Sequence, residues 1–87
     1  MYYYDSVVIN KNVFYPINRI SENDIINLQK KDCPYYEVNF NNAGKIESIK
    51  KIFNNQTSWK CCYTYKGECL QKKEIINYDG SIITEFF

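Results

Sequence analysis

The chain has 87 residues, a formal net charge of +1 and 24% charged residues. That length bounds it to a single domain over residues 1–87, and the near-neutral balance argues against the long cationic footprint that nucleic acid selects. A chain this short buries only about 60–65% of its unfolded surface, so one modest core is its limit.

Nine Tyr, five Phe and one Trp compensate, because each large ring can bury on the order of 150–250 Å². No apolar run approaches the roughly 18 residues of a membrane span. The opening Met1-Tyr2-Tyr3-Tyr4-Asp5 has neither the basic start nor the apolar stretch of a secretory signal. A cytoplasmic location is therefore expected. In that reducing compartment the four Cys are expected to stay mostly as thiols.

Tyr2 to Ile9 is aromatic and β-branched and reads as a strand. Asn10-Lys11-Asn12 is a turn, and Val13-Phe14-Tyr15 returns as the second strand. Pro16 lacks an N–H and must end the pairing or sit on an edge. Ser21-Glu22-Asn23-Asp24 is a helix start, with Ser21 as N-cap and Asp24 completing a capping-box variant. The expected helix, Glu22 to Gln29, carries Ile25, Ile26 and Leu28 as a narrow apolar stripe. About two turns are marginal alone, so the helix must pack on the sheet.

Two similar hairpins follow. In the first, Tyr36, Val38 and Phe40 share the face expected to meet the core, and Tyr35, Glu37 and Asn39 share the other. Asn41-Asn42-Ala43-Gly44 turns the chain. Beyond it Ile46 and Ile52 are out of phase with Ile49 and Phe53, which a bulge near Ser48-Ile49 would reconcile. In the second hairpin, Trp59, Cys61, Tyr63 and Tyr65 alternate before the Gly67 turn, and Leu70, Ile76 and Tyr78 share a phase after it. Gly44-Lys45-Ile46 and Gly67-Glu68-Cys69 lie 23 residues apart at equivalent points of the two copies. Asp79-Gly80 is a final turn before a last short strand or apolar tail. The pattern predicts an α+β fold: an antiparallel β-meander of about six strands with one short helix after the first hairpin, β-β-α-β-β-β-β.

The Tyr-rich opening, Tyr15-Pro16-Ile17-Asn18, Pro34-Tyr35-Tyr36 leading to Phe40 and Gly44-Lys45-Ile46, and Tyr63-Thr64-Tyr65 before Gly67 together resemble a family of small uncharacterised bacterial proteins. The hairpin pattern also resembles the YD-type and MORN-like repeats of bacterial toxin and surface proteins. The resemblance implies no activity. It implies a stand-alone binder, such as an immunity protein that neutralises a toxin or an inhibitor of an effector.

Catalytic chemistry is sparse. Without His, Ser-His-Asp and Cys-His catalysis are excluded, and no phosphate-cradling or zinc-protease motif is present. The chain is expected not to be an enzyme, and to need no cofactor and no metal. Cys61 and Cys62 are neighbours and point to opposite faces of a strand, so they do not share one metal. They are read as small buried groups, with a disulfide from one of them to Cys69 across the hairpin as the alternative, and Cys33 lies apart.

The rings exceed what one small core needs. Tyr35, Trp59, Tyr63 and Tyr65 are therefore expected to form a partner-binding face on a non-enzymatic protein-binding module. The alternatives are a small single-stranded nucleic-acid binder using Lys50, Lys51, Lys60, Lys72 and Lys73, or a homo-oligomeric structural protein joined through an open edge strand or the Phe86-Phe87 tail.

Overall fold

A computed structural model describes all residues, Met1–Phe87. Seven strands and one helix follow in the order β1 (Tyr2–Asn10), β2 (Val13–Ile20), α1 (Glu22–Lys30), β3 (Tyr35–Phe40), β4 (Ile46–Phe53), β5 (Gln56–Lys66), β6 (Cys69–Asn77) and β7 (Ile82–Phe86). They form one antiparallel sheet ordered β2-β1-β3-β4-β5-β6-β7. The α+β meander read from the sequence is thus the architecture, with the last apolar segment becoming a full seventh strand.

Turn chemistry explains the ladder. In the Asn41–Lys45 and Asn77–Ser81 connections the Gly N–H returns to the Asn carbonyl, at 3.0 Å from Gly44 to Asn41 and 2.9 Å from Gly80 to Asn77. Both glycines have positive φ, +79° and +86°, as a turn closed by a left-handed residue requires. Between β4 and β5, Asn54 and Asn55 both adopt positive φ, the two-residue hairpin turn whose twist matches the strands.

The phase conflict in β4 is resolved by a bulge. Asn39 pairs with Ser48 but Phe40 pairs with Ile46, leaving Glu47 as the extra residue. The bulge falls one residue before the predicted position, and it turns both Ile46 and Ile49 toward the interior. Two further register shifts, at Lys51/Ile52 and Thr64/Tyr65, add twist to the long strands.

That curvature gives the fold its second layer. β1 pairs with β3 only over Tyr2–Tyr4. Beyond Tyr4 the β1–β2 hairpin leaves the ladder and comes back over β5 and β6, where Phe14 lies 5.1 Å from the Trp59 ring. The core is Val38, Ile46, Ile49, Cys61 and Tyr63, with Val7, Val13 and Phe14 of the hairpin packed against it.

The helix covers the opposite face. Ser21 caps it as expected: its Oγ accepts from the Asp24 N–H, and the Asp24 carboxylate accepts from the Ser21 N–H at 2.9 Å. Ile25 is its buried residue. Gln29 donates to the Asn55 side chain at 2.8 Å, pinning the last turn to the β4–β5 connection. Tyr35 is buried on this side, with its ring 6.0 Å from that of Tyr3.

Candidate functional site

The four rings expected to form an exposed face are mostly interior. Tyr63 is 4% exposed and Tyr35 8%, so neither is available to dock a partner, which corrects that expectation for both. The physical reason is the returning hairpin. A two-turn helix shelters only one side of the sheet; the β1–β2 hairpin shelters the other and takes up the rings of β5.

Each ring has a structural partner. The Phe14 N–H donates to the Tyr63 hydroxyl at 2.9 Å. Burial pushes the Tyr63 phenol well above its ordinary value, and the neighbouring Cys61 adds to the shift. Trp59 is half-buried between Phe14 and Tyr36, whose centroids lie 5.1 and 6.1 Å away. Tyr65 is half-buried and donates its hydroxyl to the Ile46 carbonyl at 2.9 Å. Tyr65 forms a wall of the groove with the most apolar lining, whereas Tyr63 only edges a polar hollow beside Asn39, Ser48 and Lys60.

That groove lies where the returning hairpin stops short of the β3–β4 and β5–β6 turns. It encloses about 450 Å³ among Val13, Tyr15, Phe40, Ile46, Tyr65 and Leu70. Lys45 and Glu68, equivalent positions of the two hairpins, form an ion pair at 3.0 Å on its rim. The pair is largely solvent-exposed on the Glu68 side, so it marks the rim more than it stabilises the fold. Lys45 also sits 5.6 Å over the Tyr65 ring. A second hollow continues past Tyr15 and Leu70 to Phe87. The arrangement is a mainly apolar groove with one charged pair at its mouth. The sequence reading passed over Tyr15 and Leu70. The available signal was Pro16, which marks Tyr15 as part of a strand whose outer edge takes no further partner.

The other candidates disperse. Cys61 is fully buried and Cys62 points to the other face; Cys61 stands opposite Ile75, Cys62 opposite Glu74, and Cys69 opposite Lys66. A disulfide from the pair to Cys69 is therefore ruled out by register, and all four thiols are free. No three Cys, Asp or Glu side chains converge. Among the lysines, Lys50 and Lys72 pair with Glu37 and Glu74, and Lys73 is 5% exposed with its ammonium 5.2 Å from the Phe14 ring. They do not form one open cationic track. No helix is long and apolar enough to cross a membrane.

Comparison with protein-family models, with curated proteins and with solved structures returned no match.

Proposed function

We propose that the chain is a small non-enzymatic protein-binding module that holds an apolar side chain of its partner in the groove beneath the β1–β2 hairpin. The observation that carries this reading is the open groove of about 450 Å³ with Tyr15, Phe40, Tyr65 and Leu70 in its walls. Aromatic walls bury large area at low entropic cost, which is how protein anchors are commonly held. Tyr15 is itself 45% exposed, so part of that surface awaits cover.

The partner class is another protein. The role that fits the size and the binding chemistry is an immunity protein or inhibitor that neutralises a bacterial toxin or effector. Four free thiols support a cytoplasmic setting, where such a protein would meet its target.

The test is co-purification from the native host with wild type, Leu70→Glu and Tyr78→Ala. Tyr78 lies in the β6–β7 turn, 76% exposed and outside the groove lining. A partner retained by Tyr78→Ala and lost by Leu70→Glu supports the groove. A partner that Leu70→Glu retains undiminished refutes it, provided the variant keeps its circular dichroism spectrum.

A further inference from the structure

The two outer strands of the sheet differ in how they are closed. On β2 the Phe14 N–H points away from β1 and is taken by the Tyr63 hydroxyl. Strand alternation gives Pro16 the same outward direction, and Pro16 has no N–H to offer. Asn18, the next outward position, has φ +59° and is the one residue of β2 without a partner on β1. This edge offers no regular row of donors to a further strand.

β7 has none of these protections. Phe87 donates inward to Gln71 at 3.0 Å, and the Ser81 carbonyl accepts from Asn77 at 2.9 Å. Odd-numbered residues therefore face β6, and Ile82, Thr84 and Phe86 turn their N–H and C=O groups out of the sheet. The strand contains no Pro, no Lys and no bulge. Its one charge is Glu85, and every residue is exposed, with Phe86 at 78%. An exposed, unbulged edge of this kind is a pairing surface.

We propose that β7 pairs with β7 of a second copy of this chain, antiparallel about a two-fold axis through Thr84. The outward residues read the same in both directions: an apolar side chain, Thr, an apolar side chain. Centred on Thr84, Ile82 stands opposite Phe86 of the second copy, and Thr84 opposite its own equivalent. That register satisfies every outward N–H and C=O group of both strands. Glu85 falls opposite Ile83 of the second copy and beside its own chain's Lys73, so no like charges stand directly opposed. The isologous contact pairs each β7 edge with its own copy, so assembly closes at two copies rather than growing into a fibre. This surface is separate from the groove of the proposed function, and either can fail without the other.

Sedimentation equilibrium between about 10 µM and about 1 mM spans the affinities that a short strand contact can reach. Wild type is expected to move with concentration toward twice the 10.4 kDa of one chain. Thr84→Pro removes an N–H that the single chain does not use, at an edge position that tolerates Pro; Phe86→Lys places a charge on the same edge. Both are expected to remain at the mass of one chain, with thermal midpoints equal to that of wild type at the dilute end of the range. As a second readout, amide exchange at Ile82, Thr84 and Phe86 should slow with concentration, and exchange at Ile83 and Glu85 should not. A wild type that stays at one-chain mass throughout overturns the proposal. So does an assembly that grows past two copies, or one that survives both substitutions.

Discussion

Removing the hydroxyl of Tyr63 tests whether the returning hairpin is held as described. Tyr63→Phe keeps the ring in the core but leaves the Phe14 N–H without its acceptor at 2.9 Å. An unsatisfied donor costs about 1–3 kcal/mol. Phe14 is only partly buried, so the lower half of that range applies, about 1–2 kcal/mol. For a domain of this size each kcal/mol moves the melting midpoint by about 4–8 °C, which gives a fall of roughly 4–16 °C. Tyr65→Phe is the matched control. It frees the Ile46 carbonyl at the groove wall, where water can replace the lost donor, so its fall should be less than half as large. Melting followed by circular dichroism measures both. Trp59 is the sole tryptophan and lies against Phe14, so its emission should shift to the red as the hairpin loosens in Tyr63→Phe. Equal midpoints for the two variants, together with unchanged exchange at the Phe14 amide, would refute the reasoning.

The thiols should separate by burial: in native maleimide labelling read by mass spectrometry, exposed Cys69 reacts first, while Cys61, fully buried and with its thiol pushed up by burial, reacts only on global unfolding. Labelling of Cys61 as fast as Cys69 would contradict the placement of the core. The acid limb of stability should depend on two exposed turn carboxylates. Hydrogen bonds from the Ser21 backbone and hydroxyl hold Asp24 below the usual carboxyl value, and the Ser81 hydroxyl and N–H do the same for Asp79. A depressed folded value means their stabilisation is present above the unfolded value of about 3.9 and is lost as pH falls through the depressed one. Asp24→Asn with Asp79→Asn should therefore lower the melting midpoint at neutral pH and match wild type in strong acid. Parallel pH profiles for the two proteins would count against it.

Much of the fold was legible because local chemistry dictates it. Ser21 with Asp24 announces a helix start through hydrogen bonds reaching only three residues along the chain. Gly44 and Gly80 sit where the backbone needs positive φ, and the alternation of Trp59, Cys61, Tyr63 and Tyr65 fixes one face of β5. The bulge in β4 was readable because a period of two leaves Ile46 and Ile49 out of phase unless one residue is extra.

The candidate site was less legible. Alternation says that Tyr35 and Tyr36 point to opposite faces but not what covers each face. Tyr35 was expected to be outside and is under α1; Tyr63 was expected to be outside and is beneath a hairpin anchored 49 residues earlier in the chain. Tyr15 and Leu70 carry no motif, and they become groove walls only because β2 stops short of the β5–β6 turn.

The sequence by itself determined the element order, the turns, the single helix and the absence of histidine chemistry, since each depends on contacts within a few residues or on composition alone. Tertiary structure decided which rings are buried, where the groove opens and which edge of the sheet is left free. Those outcomes follow from the twist accumulated over seven strands and from β1 leaving the ladder after Tyr4, and no local residue pattern encodes where a curved sheet meets itself.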